Sequence, residues 1–497
     1  RARDVANSTT ALSVDGTVKL DGNYPVGSGN VALGDTALDS NVSGGANTAI
    51  GAYALTANTS DYNTAVGYQA SSANIGGTRN SSLGSNALGA NTTGSYNTAV
   101  GMHSLTSNTT ASNNTAVGYQ AAYSNTTAPE VTAVGYKAGY NSTGGYNTFL
   151  GYNAGVGQTT GDSNTYIGRG IASVNTSTGG FNTALGNFAL SRNTSGTSNV
   201  SVGQHSLYNN TTASYNTAVG YQSAYSNTTG TENVALGVFS LYANTTGIRN
   251  TALGKSAMEV NTTGTDNVAV GVTALDANTT GANNTALGNF SLTSNTTASN
   301  NTAVGYQAGY STTTGGSNTY IGNYCGYAMT TGINNTIIGR YNGNEGGLDI
   351  RTSSSNIVLS DGGGNPRVWI NGSGYIHSVP TYNNTTGAGA NLHVESSGQF
   401  VRSTSSLRYK NTVTDATHGL TELMTLRSVT YKGNNDGDTV FGGLIAEEVH
   451  DAGLTEFVQY DTENRPDALA YGNMVSLCIK AIQEQQATIT ALTDRIT

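Results

Sequence analysis

Ser405 and Lys410, near the carboxy-terminal end of this 497-residue chain, are residue types that can together perform nucleophilic chemistry. A serine hydroxyl is a weak nucleophile until a base removes its proton, and a lysine can be that base where burial lowers its pKa towards neutrality. A lysine five residues after a serine occurs by chance in most proteins. The pair therefore indicates an activity only if the surrounding sequence positions it.

No other group of side chains has the spacing of a catalytic or metal site. The acidic residues of the repeats are scattered, without the paired carboxylates of a glycosidase. The six histidines show no metal-ligand spacing, and Cys325 and Cys478 lie far apart without a CxxC motif. We therefore expect no metal, no cofactor and no external substrate.

The composition excludes several classes of partner. The formal net charge is -9 and no cluster of Lys and Arg is present, which argues against nucleic-acid binding. No apolar run approaches the roughly 18 residues that cross a bilayer, so we expect no membrane insertion. The sequence begins at Arg1 without a signal-peptide pattern, and we expect an upstream segment to have been removed or left out.

A repeat fills most of the chain ahead of the Ser-Lys pair. Nineteen copies of an Asn-Thr-Ala-Val-Gly-like pentapeptide recur between Asn30 and Gly339. They are spaced 17 residues apart, except for three intervals that differ by one residue. So constant a period indicates one supersecondary unit per repeat, stacked on its neighbours. We expect two short strands joined by turns in each coil, and an all-β rod about 90 Å long at the usual 4.8 Å strand spacing.

The residue types within the repeat predict its local structure. The closing glycine fits a backbone position with positive φ, and the opening asparagine, replaced only by Val131, predicts an amide ladder along the axis. The third residue is nearly always Ala, which suggests a close neighbour on the second face of the strand.

The Asn-x-Thr triplets outside the motif are attributed to turn chemistry. His103 and His205, which occupy equivalent places in their repeats, are expected at the surface. Tyrosines after the glycine are expected to pack on one another rather than on sugars; they are Tyr68, Tyr119, Tyr136, Tyr152, Tyr221 and Tyr306.

Residues 26–340 resemble the left-handed parallel β-roll in the heads of trimeric autotransporter adhesins. In those heads a Ser-Val-Ala-Ile-Gly-like motif occupies the five places that Asn-Thr-Ala-Val-Gly occupies here. The resemblance implies a homotrimer in which one face of each roll packs on the other two subunits. Such packing would account for the small third residue.

Beyond the repeat, residues 341–400 form a Gly/Ser-rich segment. Two runs, Asn356–Gly362 and Arg367–Ile370, predict short strands around a Gly-rich hairpin. Trp369, the only tryptophan, is the candidate for receptor contact, although a core position is equally ordinary. The predicted domains are an amino-terminal connector (1–25), the rod (26–340), a possible receptor-binding or neck region (341–400), an intramolecular chaperone (401–472) and a coiled coil (473–497).

Three motifs in the carboxy-terminal third, Ser405–Lys410, Gly443–Val449 and Ala468–Val475 running on to Gln483, are similar to the intramolecular chaperone domain of endosialidase-type phage tail spikes and fibres. The resemblance implies that this domain trimerises the fibre and then cuts itself off. The serine that follows the cut and a lysine five residues on carry out this cleavage in that family. The matching residues are Ser405 and Lys410, with the cut between Thr404 and Ser405. Ser406 and Tyr409 depart from the family pattern.

The last segment predicts a coiled coil. Hydrophobic residues recur every seven positions, with Cys478, Gln485 and Leu492 three residues further on, and this seam is compatible with three strands. A buried helix on a single core is the alternative. The seven-residue spacing is that of Val475, Ile482, Ile489 and Ile496.

These observations favour a structural homotrimeric fibre of a virion, a phage tail fibre that is extracellular and attaches to a host-surface glycan or protein. It would be assembled by its own chaperone and bound to a tail or baseplate protein at its amino terminus. The alternative is a cell-surface adhesin or extracellular filament of the trimeric autotransporter type. An enzyme acting on an external polysaccharide is a third possibility, and it would need a carboxylate pair in a groove between subunits.

Overall fold

The computed structural model describes residues 27–174, 176–377, 412–434, 438–461 and 463–497, and the backbone of 392–394 and 400–402. The chain divides into two compact units, residues 1–384 and residues 385–497. The first contains the repeats, and the second contains the carboxy-terminal helix. No helix in the described ranges is long and apolar enough to cross a membrane.

The first unit contains a parallel β-solenoid of nineteen coils, each of which contributes one three-residue strand to a single sheet. Neighbouring strands pair without a shift of register, so that Ala99 lies opposite Ala116. The predicted stack of parallel coils with a period of about 17 residues is confirmed. Strands β1 to β19 are Val31–Leu33, Thr48–Ile50, Thr64–Val66, Ser81–Leu83, Thr98–Val100, Thr115–Val117, Thr132–Val134, Thr148–Leu150, Thr165–Ile167, Thr183–Leu185, Val200–Val202, Thr217–Val219, Val234–Leu236, Thr251–Leu253, Val268–Val270, Thr285–Leu287, Thr302–Val304, Thr319–Ile321 and Thr336–Ile338.

The prediction of two strands in each repeat is wrong, because the second half of the coil is a series of turns. Left-handed residues two positions apart, such as His103 (φ 59°) and Leu105 (φ 48°), interrupt the extended pleat. The turns still bond from coil to coil: Gln120 N–H donates to the Met102 carbonyl and Leu105 N–H to the Ala121 carbonyl, both at 3.0 Å. The backbone is thus satisfied along the axis without a second sheet.

The third residue of the motif points into its own coil, so its prediction as a subunit contact is wrong. Ala99 and Ala116 are fully buried within the single chain, in the same apolar cluster as Leu105. Residues two and four of the motif flank this residue on the strand and therefore point outward. The third residue is small because the interior of a 17-residue coil is narrow.

Larger rings enter the interior where glycine makes room for them. Phe149 takes the third place in its coil, and a Cβ added to Gly139 or Gly155 would overlap its ring. Tyr320 has the same relation to Gly309 and Gly326. These glycines stand where most coils have Leu or Ala. Each large ring therefore uses the space of one glycine in its own coil and one in the coil before, and the interior volume of the two coils together stays nearly constant.

The closing glycine of the motif has the positive φ that was predicted. Its φ lies between 110° and 142° in all nineteen copies. The backbone of the next coil also lies against it, so that a Cβ on Gly118 would overlap the carbonyl of Gly135. Any other residue would meet both backbone strain and a steric clash.

The sheet continues beyond the last repeat. Strand β22 (Ile357–Ser360) pairs in parallel with β19, and β23 (Pro366–Ile370) and β24 (Ile376–His377) follow in antiparallel pairs. A small hairpin of β20 (Asn344–Glu345) and β21 (Leu348–Asp349) precedes them. The predicted hairpin after the repeats is confirmed.

The described part of the second unit combines short antiparallel strand pairs with three helices. Val449, Leu454, Phe457, Met474 and Leu477 form its apolar core. The elements are β25 (Leu392–Val394), β26 (Phe400–Arg402), α1 (Leu420–Leu423), β27 (Val429–Tyr431), β28 (Phe441–Gly443), α2 (Ala446–Asp451), a 3-10 turn (Thr455–Phe457), β29 (Val458–Tyr460), β30 (Pro466–Leu469) and α3 (Tyr471–Ile496).

Candidate functional site

The asparagine that opens each motif forms the predicted ladder along the axis, bonded to backbone groups. Asn97 N–H donates to Oδ1 of Asn80 at 3.0 Å, and Nδ2 of Asn97 donates to the Ala111 carbonyl at 2.9 Å. The rung at Val131 lacks the amide, although Val131 N–H still donates to Oδ1 of Asn114 at 2.8 Å. One missing rung therefore leaves the stack intact.

A second asparagine column was not predicted, although the recurrent Asn-Thr-Thr triplet could have indicated it. Nδ2 of Asn91 donates to Oδ1 of Asn74 at 2.7 Å and to the Gly94 carbonyl at 2.9 Å. Such asparagines are buried, so triplets of the kind that starts at Asn91 present no accessible amide for glycosylation in the folded coil. Their role is to satisfy the turns.

Tyrosine rings form columns on the rod surface and cover one another, as predicted. Tyr119, Tyr136 and Tyr152 stack with ring centroids 5.4 and 5.1 Å apart and nearly parallel planes. The ring faces within this column lie against each other, whereas Tyr68, Tyr221 and Tyr306 meet a neighbouring ring edge-on. A second column stacks in the same way, through Tyr208, Tyr225 and Tyr242.

Several polar groups on the rod are only half exposed. His103 and His205, expected at the surface, are half-buried, and His205 stacks on Phe188 with centroids 5.7 Å apart. Partial burial, together with the charge of Glu259 one coil away, raises the pKa of Asp276 to about 6. One oxygen of the Asp276 carboxyl is buried without a hydrogen-bond partner. When both carboxylates are charged, their repulsion slightly lowers the stability of the rod.

Residues two and four of the motif form a stripe on the outward face of the sheet, here called the sheet stripe. Residue two is Thr, Val or Ser, and residue four is Val, Leu or Ile, in every coil. The sixteen charged residues between positions 26 and 340 all lie elsewhere. Leu83 is 51% exposed and Leu253 42%, so the stripe is an uncharged surface with one partly exposed aliphatic side chain in every coil, beside a row that is mostly Thr.

Trp369 lies on β23 and is half-buried against the end of the solenoid core. Its Nε1–H donates to Oδ1 of Asn356 at 3.0 Å, and its ring stacks on His377 with centroids 4.4 Å apart. These contacts close the last coil. A receptor contact at Trp369 stays a prediction.

The predicted dyad and cleavage bond, Thr404, Ser405 and Lys410, lie outside the described residues. The two other chaperone-like motifs are brought together in the second unit. The hydroxyl of Tyr471 accepts a hydrogen bond from Leu444 N–H at 2.7 Å, and Val449 and Met474 share the apolar core. Residues far apart in sequence thus form one small packed unit.

A cleft of about 630 Å³ lies beside this contact. Tyr431, Leu444 and Tyr471 line it together with the charged side chains of Arg427, Glu447 and Asp467. Its lining includes no serine, cysteine or histidine. Its described lining therefore lacks the side chains of a Ser-His or Cys-His pair.

Helix α3 has one face covered and one bare. Met474, Leu477 and Ala481 are buried in the core, whereas every residue from Gln485 to the end of the helix is exposed. Five predicted seam residues are at least half exposed; they are Val475 (56%), Ile482 (63%), Ile489 (50%), Leu492 (51%) and Ile496 (85%). The predicted carboxy-terminal helix is confirmed, and its heptad positions form an apolar edge, here called the helix seam.

Among the described residues, no three His, Cys, Asp or Glu side chains are grouped to hold a metal ion. Comparisons with protein families, with curated proteins and with solved structures found no match to this chain. Two surfaces thus stand out from their chemistry, the sheet stripe and the helix seam.

Proposed function

We propose that the protein is a structural homotrimeric fibre of a virion, a phage tail fibre that holds a host-binding surface away from the particle. The observation that carries the proposal is the unbroken stack of nineteen coils, hydrogen-bonded at every level. Eighteen steps at about 4.8 Å give a reach of about 90 Å. The tyrosine and asparagine columns are occupied by contacts within the stack, which suits a spacer better than an enzyme.

The assignment to a virion rests on the likeness of the carboxy-terminal motifs to phage intramolecular chaperones. The packing of Leu444 against Tyr471, and of Val449 beside Met474, supports the reading of the second and third motifs as one domain. In this proposal the domain assembles the fibre. A tail or baseplate protein binds the amino-terminal end, and a host-surface glycan or protein is the receptor.

Trimerisation is supported by the helix seam. An isolated helix end with exposed Ile and Leu at heptad spacing is marginal in water, because most helical stability comes from packing of an apolar face. Three parallel copies of the seam would bury these side chains together. β-Branched residues at the a positions are compatible with that number of strands.

Self-cleavage between Thr404 and Ser405 is part of the proposal. Oγ of Ser405 would attack the Thr404 carbonyl after Lys410 takes its proton, and the C–N bond would break as the Ser405 nitrogen takes up a proton. Water would then hydrolyse the resulting ester and release residues 405–497. We expect mass spectrometry of the wild type to show a fragment of residues 405–497, and Ser405→Ala to remain full length. Ser406→Ala is the matched control and should cleave like the wild type. Identical spectra for wild type and Ser405→Ala would exclude the reaction.

Electron microscopy of particles and cells from the source, with gold-labelled antibodies against the rod, tests the location. The proposal predicts label on virion tails. The resemblance of the repeat to adhesin heads favours the alternative, a cell-surface adhesin, which predicts label on cell envelopes. Label on envelopes in the absence of particles would overturn the tail-fibre proposal.

A further inference from the structure

We propose that one corner of the rod binds arginine side chains of a partner protein. The corner is formed by the residue that precedes the first residue of each motif, here called the corner column. Its φ lies between 54° and 72° in all nineteen coils, so each side chain leaves its coil in the same direction. The inference goes beyond the proposed fibre, because it assigns a ligand class to a surface that the fold itself does not use.

Five aromatic side chains of the corner column extend into solvent. The amides of the column bond to the preceding coil, as Phe181 N–H does to the Asp162 carbonyl at 2.9 Å, so the column keeps its register from coil to coil. Within the described part of the chain, none of the five rings packs on another aromatic ring. They are 54–66% exposed, and they belong to Tyr62, Tyr96, Tyr146, Phe181 and Tyr215.

Two of these rings enclose a guanidinium group. Tyr62 and Tyr96 are two coils apart, and Arg79 lies between them with its Cζ 5.2 and 5.4 Å from the two ring centroids. Nη1 of Arg79 also donates to the Tyr96 hydroxyl at 3.1 Å. A cation over an aromatic face is attracted by the quadrupole of the ring. The rod therefore shows which kind of group a gap of two coils between rings accepts.

The same gap recurs twice further along the column with a serine in place of the arginine. Tyr146 and Phe181 flank Ser163. Phe181 and Tyr215 flank Ser198. Two coil steps separate the rings of each pair by about 10 Å, and a serine side chain is too short to lie between them as an arginine does. These two gaps, here called the ring slots, share Phe181 as a common wall.

The charges around the ring slots favour a cation. Glu130 and Glu232 stand in the column one coil before and one coil after the slots, and both side chains are exposed. Asp162, which adjoins the first slot, is exposed as well. The next basic residue along the column, Arg249, is paired with Asp266 at 2.6 Å. Carboxylates beside aromatic faces attract a positively charged ligand and repel an anion.

The spacing of the two ring slots fits arginines that are three residues apart. The slot centres are separated by two coils, or about 10 Å. A polyproline II segment has three residues per turn and a rise of about 3.1 Å, so its residues i and i+3 lie on one face about 9 Å apart. An Arg-x-x-Arg segment in this conformation places one guanidinium in each slot. Arginine suits the slots better than lysine, because its planar group can stack on a ring at each side.

Binding of a dye-labelled Pro-Arg-Pro-Pro-Arg-Pro peptide to the full-length protein, measured by fluorescence anisotropy, tests the inference. Phe181→Ser removes the wall that both slots share and should weaken binding at least fivefold. Tyr96→Ser is the matched control, because this exposed ring of the same column borders only the gap that Arg79 fills. It should change the affinity less than twofold. Equal effects of the two variants would overturn the inference.

Filling the slots from within the chain gives a second measurement. Ser163→Arg with Ser198→Arg should reproduce the arrangement of Arg79 and abolish peptide binding, with an unchanged midpoint of thermal unfolding. The isomeric peptide Pro-Pro-Arg-Arg-Pro-Pro has the same charge and should bind the wild type at least threefold more weakly. Wild-type affinity in the double variant, or equal affinity for the two peptides, would show only general attraction to the negative chain and would overturn the inference. A neutral maltooligosaccharide that binds in place of the peptide, and is lost in Phe181→Ser, would also overturn it.

Discussion

The solenoid and the second unit bury their backbone and apolar groups in different ways. Each coil bonds its amides to the next coil and fills its interior with small side chains, so that stability is a sum of similar neighbour terms. The second unit has a small core around Val449, Leu454 and Phe457 and leaves the second half of α3 bare. The comparison indicates that the rod is stabilised coil by coil, whereas the second half of α3 has no covered face in the described part of the single chain.

The largest expected effect is on the helix seam. Ile482→Ser with Ile489→Ser removes two apolar side chains, each of which contributes about 1.5–3 kcal/mol when fully buried. We expect the amides of residues 485–496 to exchange at least 100-fold faster than in the wild type. Gln486→Ser, outside the seam, is the control and should change exchange little. Fast exchange of this segment in the wild type would show that the seam has no partner.

A clash inside one coil should have the next largest effect. Gly155→Ala places a methyl group in the Phe149 ring, and overpacking of this kind costs about 1–3 kcal/mol. We expect faster hydrogen exchange in the coils on either side of Phe149 and little change in α3. Adding Phe149→Ala and Gly139→Ala recreates the Ala116 and Ala122 pattern in both coils that the ring touches, and this triple variant should recover most of the loss. Additive losses would contradict conservation of volume between coils.

Removal of one rung tests the asparagine ladder. Oδ1 of Asn250 accepts from Asn267 N–H at 3.1 Å, and its Nδ2 donates to the Gly264 carbonyl at 2.8 Å. Asn250→Ala leaves the buried Asn267 N–H unpaired, at a cost of about 1–3 kcal/mol, while the Gly264 carbonyl keeps its bond from Nδ2 of Asn261. The measurement is thermal unfolding of the rod, with the exposed Asn323→Ala as control. A loss no larger than that of the control would mean that the ladder does not stabilise the stack.

The smallest effect concerns pH. The pKa of Asp276 is raised to about 6, so the stability of its neutral form is fully present below the ordinary value near 3.8 and is lost as pH rises through 6. Because the side chain is partly exposed, we expect Asp276→Asn to stabilise the rod at pH 7 by less than about 1 kcal/mol. At pH 3.5 the variant and the wild type should unfold alike. An equal stability difference between Asp276→Asn and the wild type at both pH values would contradict the raised pKa of Asp276.

The repeat allowed much of the first unit to be predicted. The invariant glycine gave its positive φ, the opening asparagine gave the ladder, and the tyrosines gave their stacks, because identical residues at a fixed period must meet along the axis. The direction of the strand faces was not predictable from one coil. An Ala as third residue fits either a narrow interior or a subunit contact. The burial of Ala99 in one apolar cluster with Leu105 of the same coil decides for the interior.

The second unit was less predictable because its contacts join residues without a period. The heptad of Val475, Ile482 and Ile489 indicated α3, yet the three buried residues Met474, Leu477 and Ala481 lie on another face of the same helix. Leu444 and Tyr471 are 27 residues apart in the sequence, and no repeat or heptad relates the two positions. The Ser405–Lys410 prediction came from resemblance and stays a prediction.

The mass of the assembled full-length chain in solution tests the central claim most directly. Sedimentation equilibrium at micromolar concentration is predicted to give three times the chain mass of 50.8 kDa, or a slightly smaller value if residues 405–497 have been released. A single species of 50.8 kDa, with both the sheet stripe and the helix seam open to solvent, would contradict the account.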